Sequence, residues 1–350
     1  MVKAKEIEGL NCEGSAAGEI RLVLGARLAE MCGLRVSALE WADPEGVHDM
    51  RVASRRVRSA LRDFNPYLRK RRLASAAAEL KRVADALGMV RDEDVAIVAL
   101  EELQREAPEE VAVGIAELVR ERRARQGSAR AELVYAMTEE KLAELEADFA
   151  AALERAIEAR KKKATADAPG FRAVGREIIL ARLKELRELS GCLYRPFEAD
   201  ALHEMRIAAK RLRYAMELFA ACYGEELTAH AAEVSELQTS LGELHDCDIW
   251  LEGFGRMLRE FKKREERAAS TVVAPIARKR RAAVWLLRHF ARARMKHFGN
   301  ALLRWHEWEA SGFFAQLVQS LDARTAVELL PAALTASNAV ASDTKAREPA

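Results

Sequence analysis

Apolar positions recur in this chain with the period of an α-helix almost from end to end, and no stretch alternates with period two for long enough to make a strand. The pattern predicts helices over about 19–39, 47–64 and 67–87, with a brake at Asp43-Pro44-Glu45-Gly46 and a stop near Asn65-Pro66. Gly88 is expected to interrupt, and Arg91-Asp92-Glu93-Asp94-Val95 to open a further helix reaching about Glu106. Beyond Pro108, long charged helices are predicted over 109–126 and 129–163. Thr165 to Gly170 is the best internal boundary, after which 171–190 takes the role of 19–39.

One stretch occurs twice: VHDMRVASRRVRSALRDF, from Val47 to Phe64, returns as LHEMRIAAKRLRYAMELF, from Leu202 to Phe219. At about 100° per residue, His48, Arg51, Arg55, Arg58 and Arg62 fall in one stripe roughly 80° wide. Met50, Ala53, Val57, Ala60, Leu61 and Phe64 fall opposite. The second copy repeats this, with His203, Arg206, Lys210 and Arg213 on the basic side and Met205, Ala208, Leu212, Ala215, Met216 and Phe219 on the apolar side. A solvated helix face usually mixes signs at i,i+4. A stack of like charges repels itself and suggests a polyanion against it.

The repetition extends further. Leu241-Gly242-Glu243-Leu244-His245-Asp246-Cys247-Asp248-Ile249 matches Leu87-Gly88-Met89-Val90-Arg91-Asp92-Glu93-Asp94-Val95, and Arg123 with Arg130 matches Arg281 with Arg288. A duplicated multi-helix unit implies an all-α fold of two helical bundles; if they pack about a pseudo-twofold axis, the two basic stripes face one another across one groove or channel. The expected division is a flexible N-terminus over 1–17, halves over 18–164 and 165–330, and a disordered tail over 331–350.

Composition agrees, since half of the 350 residues are apolar and 32% are charged. The net charge of +2 conceals the feature that matters, which is segregation of charge by face. Cys12, Cys32, Cys192, Cys222 and Cys247 are far apart, odd in number and without a CxxC, and are expected as free core thiols in a reducing compartment. The start, MVKAKEIEGL, has no apolar signal core, and no run approaches the ~18 apolar residues that span a bilayer. A cytoplasmic protein without membrane contact is expected.

HxxR followed by RR or KR, twice, each with an LGxxxDxD-type segment further on, resembles the CHAD domain (conserved histidine α-helical domain) over nearly all of residues 15–325. The resemblance implies two duplicated halves, each a helical bundle of the four-helix type, related by pseudo-twofold symmetry around a basic central groove or cavity. It also implies binding of inorganic polyphosphate and, in bacteria, association with polyphosphate granules. Carried over by position, it places the family's His and basic residues on His48, Arg51, Arg55, Arg56 and Arg58, and on His203, Arg206, Lys210, Arg211 and Arg213. The loop segment differs between copies, with Arg91 in one and His245 in the other. Some relatives carry a triphosphate-hydrolysing CYTH domain that opens with ExExK; here Glu6-Ile7-Glu8 is followed by Gly9 and Leu10, so no hydrolase activity is borrowed.

The residue types suit a phosphate chain. Arg offers a planar fork to two oxygens and stays charged. Arg62 extends the first stripe, while Arg123, Arg130, Arg281 and Arg288 are weaker candidates on highly charged helices. His48 and His203 either ligate phosphate or fix their helix starts. Asp92, Asp94, Asp246 and Asp248 are read as helix caps or as carboxylates that orient the stripe arginines. No cofactor is expected; a polyphosphate-metabolising enzyme is a conceivable partner. Nucleic acid is disfavoured, because single strands want aromatic platforms and only Tyr214 lies on a stripe, opposite Ser59 in the other copy. Two alternatives stand beside polyphosphate binding. One is a metal-dependent phosphohydrolase using His245-Asp246 and His48-Asp49. The other is a generic polyanion or nucleic-acid adaptor. Trp305-His306-Glu307-Trp308 is read as packing.

Overall fold

The apolar faces of the two repeated segments determine where their helices lie. In the computed structural model, which describes residues 5–161, 169–267 and 273–327, Met50, Val57 and Phe64 from one copy and Met205, Leu212 and Phe219 from the other are wholly buried. The chain runs α1 (Ala16–Cys32), a single turn α2 (Arg35–Ala38), α3 (Glu45–Asp63), α4 (Lys70–Glu106), α5 (Glu109–Ala136) and α6 (Glu139–Lys161). It continues as α7 (Phe171–Glu188), α8 (Ala199–Tyr223), α9 (Glu225–Arg267), α10 (Val273–Ser311) and α11 (Phe313–Val327). The all-α class is as the periodicity predicts. Among the described residues the extended pairing is a lone bridge between Ser15 and Gly170. Residues 165–168 of the expected boundary and the tail 331–350 lie outside the described residues.

The break expected at Gly88 does not occur, and its counterpart Gly242 is helical too: Gly88 lies inside α4 and Gly242 inside α9. A helical Gly costs about 1 kcal/mol, and the buried neighbours Leu87, Val90, Leu241 and Leu244 outweigh it through packing. The expected break near 126–129 also moves. Helix α5 continues to Ala136, and Thr138 caps the next helix by accepting the Lys141 amide at 3.4 Å.

The larger apolar cluster draws on helices from both sides of the boundary. Its centre holds Phe64, Phe171 and Phe219, with ring centroids 4.9 to 6.1 Å apart. Gly175 lets α7 approach α8 there, because a Cβ would sit 2.6 Å from the Phe219 ring. A second cluster joins the far ends of α4, α5, α9 and α10 through Leu100, Ile115, Phe254 and Leu286. Trp305 and Trp308 are packed inside, as read from the sequence.

The cysteines depart from expectation. Cys12 and Cys222 form a disulfide across 210 residues of sequence, while Cys32, Cys192 and Cys247 are free. Spacing could not show the pair, because the fold alone brings the residues before α1 to the end of α8. The backbone amides of Phe171 and Arg172 donate to the carbonyls of Gly14 and Cys12 at 3.0 and 2.9 Å, and Ile7 and Leu10 pack on the core. The segment expected to fray is therefore held over its described residues. Oxidised protein denatured without reductant should show three reactive thiols; five would refute the bridge. Cys222→Ser should lower the unfolding free energy by about 2–4 kcal/mol in a denaturant titration.

Candidate functional site

With their apolar faces committed to the core, α3 and α8 turn their basic faces to a common cleft of about 510 Å³. From α3 it takes Arg51, Arg55, Arg58 and Arg62, with Ser54 and Ser59 between them. From α8 it takes Arg206, Lys210 and Tyr214, and α4 closes it with Asp85, Gly88, Met89 and Asp92. Six cations thus face two carboxylates, and Asp85 already holds Lys81 at 2.5 Å. Among the described residues no carboxylate lies within ion-pair distance of Arg55, Arg58, Arg206 or Lys210.

The two helical glycines lie beside these arginines, where an added Cβ would make only ordinary van der Waals contact. A Cβ on Gly88 would meet Arg51 Nε at 3.9 Å, and one on Gly242 would meet Arg206 Nε at 3.6 Å. Arg51 Nη2 donates to Asp92 Oδ1 at 3.1 Å, which ties this stripe arginine to α4. Asp246 acts on Arg206 as the nearest opposing charge, without a direct bond. Burial raises the Asp246 carboxyl against the pull of Arg206, and Asp92 adds to the rise.

Asp94 and Asp248 do not orient the stripes. Two residues on a helix lie about 200° apart, so they turn to other helices. Asp94 accepts from Gln126 at 2.5 Å and sits 3.7 Å from Arg130. Asp248 binds Arg294 at 2.5 Å. The expected helix caps are absent too, since all four aspartates lie well inside α4 or α9. Arg294 was missed by sequence matching, which paired Arg130 with Arg288. The carboxylate partners instead pair Arg130 with Arg294.

At the rim the two copies differ. His48 stands beside Arg91, which is 3.9 Å from Glu45. At the matching place His203 Nδ1 and His245 Nδ1 are 3.1 Å apart, an imidazole pair sharing one hydrogen bond. Burial and then Arg91 push His48 downward, and burial and then Arg206 push His203 downward. Burial, His203 and Arg206 bring His245 down to about 4.

Other predicted residues serve the fold. Arg56 is buried against Glu30 at 3.6 Å, and Glu30 also takes Arg27 at 2.7 Å. Arg213 is buried, donating to Glu217 at 2.7 Å and Gln238 at 2.8 Å with its guanidinium over the Tyr214 ring. Arg211 is tied to Glu185, which also takes Arg182; Arg182 in turn binds the buried Asp63 at 2.9 Å. Arg123 pairs with Glu101, and Arg130 lies over Trp41. Arg281 and Arg288 are exposed on α10 and do not line the cleft.

The charge crowding has one outlet. Burial and mutual repulsion push Arg51, Arg62 and Arg206 downward, yet guanidinium does not lose its proton in this range. Lys210 can, and burial, then Arg55, Arg206, Arg62 and Arg211 bring it down to about 7. For the metal alternative, the described residues place one group of three His or carboxylate side chains within ligand reach, Glu45, His48 and Asp49 at the rim. His245-Asp246 gathers no third ligand there.

The CHAD domain family model matches residues 22–255. The chain belongs to the CHAD domain family. It is 32% identical over 211 residues to the uncharacterized protein Rv2226 of Mycobacterium tuberculosis, an alignment spanning 59% of this chain and 39% of that protein's length. The crystal structure of the CHAD domain from the plant Ricinus communis superposes with a TM-score of 0.64 at 22% identity, covering 87% of this chain and 96% of that one. PptA from Streptomyces chartreusis superposes at 0.62 with 15% identity, covering 84% and 100%. These likenesses establish the fold.

The cleft and the buried networks separate by mutation. Arg213→Ala should cost about 2–3 kcal/mol by chemical denaturation, because it leaves Glu217 without its partner. Arg58→Ala, exposed at the cleft, should stay within about 0.5 kcal/mol. Equal costs would contradict the division.

Proposed function

We propose that this chain binds inorganic polyphosphate in the cleft between α3 and α8, as a binding module and not as an enzyme. The observation that carries the reading is the excess of unneutralised cations on rigid helices, with Arg55, Arg58, Arg206 and Lys210 free of carboxylate partners among the described residues. Membership of the CHAD family supports it, through the polyphosphate binding that the repeated motifs imply. A flexible chain with about one charge per phosphate can follow guanidiniums spaced one helical turn apart. Binding of this kind would hold the protein on polyphosphate granules and near enzymes that handle the polymer.

The aromatic content of the cleft favours phosphate over nucleic acid. Tyr214 is its one aromatic, and it is buried under Arg213, leaving no platform for bases. The hydrolase alternative meets an electrostatic obstacle, because a divalent cation in this cleft would be repelled by six basic side chains that already compete for the same oxygens.

Replacing Arg51, Arg55, Arg206 and Lys210 together by Ala should abolish polyphosphate binding while circular dichroism and the unfolding midpoint stay near wild type. In wild-type protein the logarithm of affinity should fall linearly with that of salt, by about 0.7–0.9 per phosphate contacted, and single replacements should shallow the slope by about one such step. Unchanged affinity in the fourfold variant would remove the site.

A further inference from the structure

We propose that polyphosphate binding in this cleft is coupled to uptake of one proton by the Lys210 amine, so that affinity is governed by pH across the neutral range. The inference rests on the polyphosphate reading and adds its regulation.

Lys210 occupies the place in α8 that Arg55 occupies in α3, so a permanent cation and a titratable one stand at matching points of the repeat. Both line the cleft floor. Lys210 faces Arg206 and Arg211 on its own helix and Arg55 and Arg62 across from α3, all of one sign. The His203–His245 pair, from α8 and α9, feels the Lys210 charge, and Asp246 on α9 answers Arg206. From α4, Asp92 is held by Arg51 and Asp85 by Lys81. Beyond Arg211, the α7 residue Glu185 is shared between Arg211 and Arg182. The two carboxylates that line the cleft are thus held by Arg51 and Lys81 and leave Lys210 without a carboxylate partner among the described residues.

The empty cleft relieves this crowding in the one way open to it. The guanidiniums keep their protons, and the amine, brought down to about 7, releases its own. A phosphate chain reverses the local potential and makes the ammonium favourable again. Binding then draws a proton from solvent to the Lys210 nitrogen, and one N–H bond forms with no other bond changed. The sign follows from linkage. Below about pH 7 the amine is already protonated and affinity is at its plateau. As pH rises, each complex must take up a proton, and affinity falls by up to about tenfold per pH unit until the bound amine itself titrates. In the ligand-free protein, burial holds both members of the histidine pair below the ordinary imidazole range, His245 at about 4.

The test is isothermal titration of the full chain with long-chain polyphosphate at several pH values from about 6.5 to about 9, in two buffers of different ionisation heat. Long chains keep the titrating terminal phosphates few. Wild-type protein should take up close to one proton per site above neutrality and lose at least about tenfold in affinity over the range. Lys210→Arg should take up almost none and keep its affinity at high pH. Lys210→Gln, which also lacks a titrating amine, should be weak at every pH with the slope abolished. Proton uptake and slope in Lys210→Arg equal to wild type would overturn the inference while leaving polyphosphate binding intact. Absence of wild-type binding even at low pH would instead overturn the polyphosphate reading, and this inference with it.

Discussion

Repulsion among the cleft cations is the constraint on which the rest of the structure depends. Six basic side chains project from two helices, α3 and α8, into one space with two carboxylates of α4 beside them. Such an arrangement does not assemble unless something else forces the helices together. The force is apolar. Buried residues of α3 and α8, with the Phe64, Phe171 and Phe219 cluster at their ends, fix both helices with their basic faces turned the same way. Each fully buried side chain of this size contributes about 1.5–3 kcal/mol, ample to hold several partly solvated like charges in place.

Behind the cleft the charges are handled differently. Arg56 with Glu30, Arg213 with Glu217, and Asp63 with Arg182 are paired and largely withdrawn from water. These pairs fix the helices that carry the cleft, and they also consume carboxylates that could otherwise have neutralised it. The result is a division of basic residues into an inner set with buried partners and an outer set in which Arg55, Arg58, Arg206 and Lys210 have no carboxylate partner among the described residues. The outer set is what a polyanion meets. The rim adds an asymmetry, with His48 and Arg91 at one place and the His203–His245 pair at its counterpart.

Much of this was legible in the sequence, and the failures share one cause. Helical period, the doubled stripe and the glycine-aspartate segments led to the all-α class and to Arg51, Arg55, Arg58, Arg62, Arg206 and Lys210 as neighbours. A periodic pattern reports which way a side chain leaves its helix, but not what waits there. Arg213 lies on the predicted stripe yet ends buried, because Glu217 and Gln238 arrive from its own helix and from α9. Gly88 looked like a break, since propensity is local, yet packing carries α4 through it, as it carries α9 through Gly242. Asp94 and Asp248 were grouped with Asp92 and Asp246 by spacing, although two residues suffice to turn them away. The Cys12–Cys222 bridge and Arg294 depend on contacts that only the assembled fold creates.

The central claim is that the cleft is built for a phosphate chain and not for polyanions at large. The most direct test is a titration of the protein with long-chain polyphosphate beside an RNA homopolymer of matched charge, at about 150 mM salt, with free phosphate monitored throughout. Tight binding of polyphosphate, weak binding of RNA and no phosphate release are the expected results. Equal binding of the two polymers, or steady release of phosphate, would contradict the account.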